Sequence, residues 1–164
     1  MGGYPISRAA DLDPTNISRL IYLCAYVPWE DHSLVEMRLR APRQPIMKAI
    51  EKAEDGVTFS IKPEHAREVF YHDIPDEAFE FALDNICPQA ILPQATKVTL
   101  GETYKSVPRS YIVCEQDSAI PSEFQETMAE NFVPQDVFRM DTSHSPFFSQ
   151  PAALAQLVHK ISES

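Results

Sequence analysis

Apolar residues recur along the chain in two kinds of pattern. From Leu20 to Val27 the run Leu-Ile-Tyr-Leu-Cys-Ala-Tyr-Val is apolar without alternation and stops at Pro28. That is the pattern of a strand covered on both faces in a parallel sheet. Ser110 to Cys114 repeats it, and Val137 to Met140 is a shorter third candidate. Gly3 to about Leu12 suits a short helix, halted at Asp11-Leu12-Asp13-Pro14 because proline disfavours helical geometry in the residue before it. Behind Pro121, Ser122 with Gln125 three positions on reads as a capping box that opens another helix. In the last helix, starting near 149–151, Leu154, Leu157, Val158 and Ile161 form one apolar stripe at i, i+3, i+4 and i+7. Strands alternating with helices predict an α/β class domain, with strands 20–27, 109–115 and 136–140 adjacent and parallel in one sheet flanked by helices on both faces.

Between Trp29 and Thr103 this alternation breaks. Prolines recur at 42, 45, 63, 75, 88 and 93, and helical pieces are predicted at about 46–53, 64–71 and 76–86, the last with Phe79, Ala82, Leu83 and Ile86 on one face. The chain therefore reads as one domain with its core in 1–28 and 104–164 and an inserted lid over a pocket at about 29–103.

At 164 residues and 44% hydrophobic content, one compact core is expected and two are not. The longest apolar run falls far short of the roughly 20 residues of a membrane span. No basic segment followed by an apolar one opens the sequence, so the expected location is the cytoplasm. A net charge of −10 disfavours nucleic acid and anionic membrane surfaces as partners. Three cysteines, at 24, 87 and 114, lack C-x-x-C spacing and point to neither a disulfide framework nor zinc. Cys24 and Cys114 fall inside predicted buried strands and read as small hydrophobes. His32, His65, His72 and His159, and the Tyr71-His72-Asp73 trio, match no ligand spacing and read as lid or other surface, so no metal and no cofactor is expected. Trp29, Phe59, Phe70, Phe79 and Phe147 read more as core aromatics than as pocket, with a few of them candidates to line an apolar acyl or aryl site.

Two C-terminal segments carry the candidate chemistry. Asp117 lies in Gln116-Asp117-Ser118-Ala119-Ile120-Pro121, after one strand, and His144 lies in Asp141-Thr142-Ser143-His144-Ser145-Pro146-Phe147, after the next. Glu115 and Asp141 compete with Asp117 as partner of the histidine. Glu115 is expected still in the strand, pointing to a covering layer, and Asp141 is too near His144 in sequence to approach it from a neighbouring strand. Together with Leu20 to Pro28, these motifs resemble α/β-hydrolases related to plant methyl esterases and hydroxynitrile lyases.

The resemblance implies the C-terminal half of an α/β-hydrolase fold with a helical lid insertion. In that family the triad runs Ser, then Asp or Glu, then His along the chain, and Asp117 before His144 fits that order. Met1-Gly2-Gly3 would be the back half of a G-x-S-x-G elbow, with Met1 lending an oxyanion N–H, Gly2 as the closing glycine and the serine just upstream. Ser7, inside the first helix, is a poor substitute. The implied function is hydrolysis of a small carboxylic ester, with a hydroxynitrile lyase-like activity as one alternative. Without the serine the chain alone is expected to be inactive. A non-catalytic module that binds a partner through a sheet edge or the lid is the alternative from another class.

Overall fold

Tyr22 and Tyr111 stand side by side with ring centroids 6.4 Å apart and planes inclined by 7°, and this pair marks the middle of the main sheet. The computed structural model describes residues 1–164. In chain order the helices are α1 (Gly3–Leu12), α2 (Leu34–Arg40), α3 (Pro63–Phe70), α4 (Asp76–Asn85), α5 (Leu92–Ala95), α6 (Glu102–Ser106), α7 (Ser122–Ala129), α8 (Pro146–Ser149) and α9 (Pro151–Ser162). The strands are β1 (Leu20–Leu23), β2 (Ile50–Lys52), β3 (Thr58–Ile61), β4 (Gln89–Ala90), β5 (Arg109–Cys114) and β6 (Val137–Met140).

The main sheet is parallel, in the order β1-β5-β6, with Tyr22 opposite Tyr111 and Ile112 opposite Phe138. Alternation along the strands feeds two apolar layers. Tyr22, Tyr111 and Val113 pack with Phe124, Met128 and Phe132 and with Tyr4 and Ala10 of α1. On the opposite face Ile112, Met140 and Ile161 pack with Ile21, Leu23, Leu154 and Leu157. Ile161 is fully buried, so its truncation to alanine would cost about 2–5 kcal/mol. Helices thus cover both faces.

Several local expectations are corrected. The first strand ends at Leu23, because Cys24 adopts φ +35, a left-handed value that β-structure cannot continue through. Its N–H still donates to Ile112 O at 2.9 Å, and Tyr26 and Val27 are buried in coil beyond it. The lid is not purely helical: β2-β3-β4 form an antiparallel sheet, and the predicted helix 46–53 is a 3-10 turn (Pro45–Ala49) running into β2. The alternation Thr58-Phe59-Ser60-Ile61 and the turn at Gly56, φ +69, were the overlooked strand and hairpin signals. No capping box exists at Ser122, since Pro121 is the N-cap and makes no side-chain cap. The capping box is instead at Ser33, whose hydroxyl accepts from Glu36 N–H while Glu36 Oε2 accepts from Ser33 N–H. Val158 is exposed, because the sheet layer under α9 reaches only Leu154, Leu157 and Ile161.

Candidate active site

Asp117 and His144 reach one another because the sheet brings the ends of β5 and β6 together. Beyond Cys114, Glu115 N–H donates to Met140 O and Gln116 N–H to Thr142 O, which carries the pairing into both loops. Glu115 is therefore past the strand and exposed, a correction to its expected place in β5. Asp141 is also exposed and accepts from the Gln116 side-chain amide, away from the imidazole.

The Asp117 side chain is fully buried, and both its oxygens are in use. Oδ1 accepts Ala119 N–H at 2.7 Å and Ile120 N–H at 2.9 Å, a local turn of the kind aspartate favours. Oδ2 accepts His144 Nδ1 at 2.7 Å and Gln125 Nε2 at 2.9 Å. A carboxylate only accepts, so Nδ1 carries the proton and Nε2 is left as the acceptor, without a hydrogen-bond partner in the protein. The Phe70 ring meets the imidazole edge-on at 5.5 Å.

The lid grips both loops. Asp73 Oδ2 accepts Ser143 N–H at 2.8 Å, Ser143 Oγ donates to Phe70 O at 3.1 Å, and His72 Nε2 lies 2.9 Å from Gln116 O. Despite burial, which pushes it up, the Asp73 carboxyl is held below its usual range by hydrogen bonds from Ser143. The Tyr71-His72-Asp73 trio read as lid surface is thus a docking point, and nothing in its spacing announced that. Gln125 was visible only as a supposed cap.

His144 lines a cavity of about 240 Å³ between core and lid. Its wall is mainly apolar, with Ile46, Ile50, Phe59, Ile61, Phe70 and Ile120, and its polar members include Arg38, Gln89 and Gln94. Of the five aromatics weighed between core and pocket, Phe59, Phe70 and Phe147 line this cavity. Met1 lines it too. Gly2 is exposed, with helical φ −49 and open space where a side chain would stand. Gly3 is the constrained glycine: a Cβ there would come within 1.9 Å of Tyr26 O. In this structure the steric demand for glycine falls on Gly3, and Gly2 meets none. Ser7 is buried and committed to Gly3 O and the Tyr22 hydroxyl, both at 2.6 Å.

Cys24 Sγ, an Asp117 oxygen and a His144 nitrogen lie within 4.8 Å of one another, the one cluster with metal-ligand character. Its donors do not suit a cation. Both Asp117 oxygens already accept two hydrogen bonds each. The neighbouring Cys114 sulfur and burial hold the Cys24 thiol well above its usual range, so it stays neutral.

The alpha/beta hydrolase family model matches residues 1–157. The chain is 29% identical to methylesterase 1 of Arabidopsis thaliana, over 99% of this chain and 66% of that protein. It is 31% identical to methyl jasmonate esterase 1 of Vitis vinifera, over 100% of this chain and 68% of that one. It thus spans about two thirds of the length of the curated relatives it matches. Among solved structures, polyneuridine aldehyde esterase superposes with a TM-score of 0.82 at 22% identity, covering 98% of this chain and 68% of the other. At that identity the likeness is one of fold.

Proposed function

The chain belongs to the alpha/beta hydrolase family, and we propose that it carries the acid and base of a serine-type carboxylic ester hydrolase acting on small-molecule methyl esters. One observation carries the reading: His144, fixed by the 2.7 Å bond to buried Asp117, lines a largely apolar cavity under the lid. The methylesterase relatives support the choice of ester.

The proposed nucleophile is a serine directly before Met1, which itself lines the same cavity. His144 Nε2 would take its hydroxyl proton and return it to the leaving alcohol, a contribution on the order of 10² to 10⁴ in rate. Asp117 would hold the tautomer and stabilise the imidazolium, and the Met1 N–H would face the oxyanion. Part of the same reading is a cytoplasmic location. No helix is long and apolar enough to cross a membrane, although a relative is described as chloroplastic.

Hydrolysis of p-nitrophenyl acetate tests the proposal. The present chain is expected to give no turnover above an H144A control. The chain carrying an upstream half whose Gly-x-Ser joins Met1 is expected to turn the ester over and to lose that activity when the serine or His144 becomes alanine. Serine-dependent turnover that survives H144A would overturn the assignment.

A further inference from the structure

Arg38 is an unpaired cation in an acidic protein. Of the other lid cations, Arg43, Lys48, Arg67 and Lys97 pair with Glu123, Glu68, Asp76 and Glu36, and Arg40, Lys52 and Lys62 make no ion pair but have no buried donor atom left without a partner. Arg38 makes no side-chain hydrogen bond or ion pair, and its Nε is wholly buried without a partner. Glu36, two residues away and so on another face of α2, is committed to Ser33 and Lys97. A buried guanidinium N–H without an acceptor is costly unless something fills the place.

The position of that guanidinium is informative. Arg38, Ile50, Phe59 and Gln94 line both the 240 Å³ cavity and a neighbouring one of about 130 Å³, so Arg38 sits where the two meet. The lining of neither cavity includes an aspartate or glutamate, in a chain of net charge −10, and Lys52 joins Arg38 at the second. Tyr26, also on the first cavity's wall, has a hydroxyl that no protein group pairs, and burial keeps it protonated as a donor. The space thus has a proton acceptor, His144, an apolar middle and a cationic station at Arg38.

We propose that Arg38 determines specificity by binding an anionic group on the substrate, a carboxylate in the first instance, so that the preferred ligand is the half-ester of a dicarboxylic acid with an apolar spacer. This rests on reading the cavity as an ester site. A guanidinium matches a carboxylate with two parallel N–H donors, and a charge-assisted pair of that kind should be worth about tenfold to a hundredfold in affinity.

Binding, measured without turnover, separates this proposal from the hydrolase reading. The monomethyl and dimethyl esters of succinic, adipic and suberic acids are titrated into the chain by calorimetry. At one or more spacer lengths the half-ester is expected to bind at least about tenfold more tightly than its diester. R38M should abolish that preference, R38K should retain part of it, and H144A should leave it in place. Thermal unfolding of each variant shows whether it is folded. Equal affinities at every length in a wild-type chain that shows a cooperative thermal transition would overturn the proposal, as would a preference that survives R38M. An Arg38-dependent preference in a protein that hydrolyses no ester once the serine is supplied would sink the hydrolase reading alone.

Discussion

Gln125 and His144 donate to the same oxygen of Asp117, from Nε2 at 2.9 Å and from Nδ1 at 2.7 Å. Gln125 is fully buried and also binds the backbone on both sides of the loop, donating to Ile120 O at 2.7 Å and accepting Cys114 N–H at 3.0 Å. It therefore ties the end of β5, the Asp117 turn and the start of α7 into one unit. Q125L would keep the volume and strand the Cys114 N–H and one Asp117 lone pair in a dry interior. The expected loss is about 2–4 kcal/mol in urea unfolding, since each stranded group costs about 1–3 kcal/mol. A loss below about 0.5 kcal/mol would mean that this network does not hold the loop.

Asp73 should control the loop that carries His144. Its carboxylate accepts Ser143 N–H, one residue before the histidine. D73A removes that acceptor, and the Ser143 and His144 amides should then exchange with solvent about tenfold faster, while amides in β5, at the sheet centre, stay unchanged. D73N, which keeps an oxygen there, should have the smaller effect. Uniformly faster exchange across the sheet would instead indicate global destabilisation.

The parallel sheet was legible because Leu20 to Leu23 and Tyr111 to Cys114 are apolar at every position, with no polar alternation to suggest a solvent-facing side. The closeness of Asp117 and His144 was legible because each follows a strand, and β5 and β6 are neighbours. The lid was less so. Its sheet is built from strands of two to four residues, too short for a periodicity to stand out against the prolines around them. Gln125 satisfied a local capping pattern and a tertiary network at once, and the tertiary bonds won because Asp117 is buried and needs donors. Arg38 looks like any surface arginine of an amphipathic helix. Only the burial of its Nε without a partner, in three dimensions, sets it apart.

Acid should unfasten α2 in a defined window. Hydrogen bonds from the Ser33 N–H and hydroxyl hold the Glu36 carboxyl at about 2, below its usual 4.5. Because the folded value is the lower one, protonation favours the unfolded chain. The ionised Glu36 therefore contributes fully above pH 4.5, loses ground as pH falls, and contributes nothing below about 2. The wild-type chain should melt at a higher temperature than E36Q at pH 6, and the gap should close between pH 4.5 and 2. A gap independent of pH would show that the capping box is not charged.

The two glycines at the start of α1 should behave in opposite ways. At Gly2 the backbone is helical and the space is open, so in this chain G2A should be neutral or stabilise by about 0.4–1 kcal/mol through the unfolded state. At Gly3 a Cβ would press to 1.9 Å from Tyr26 O and to 3.2 Å from the Tyr22 ring. The nearer atom is backbone and cannot swing aside. Either α1 lifts from the sheet or the Tyr26 segment retreats, and since Tyr26 and Met1 both line the cavity of His144, either response changes that space. G3A should lower stability by about 3 kcal/mol or more, in the range of backbone and overpacking defects. In a serine-bearing form it should also reduce ester turnover well beyond G2A, because a shift of about 1 Å in the elbow costs on the order of 10²-fold. Measuring unfolding midpoints and turnover for the pair decides the matter: equal effects of G2A and G3A would mean that the close approach of α1 to Tyr26 does not set the position of the elbow.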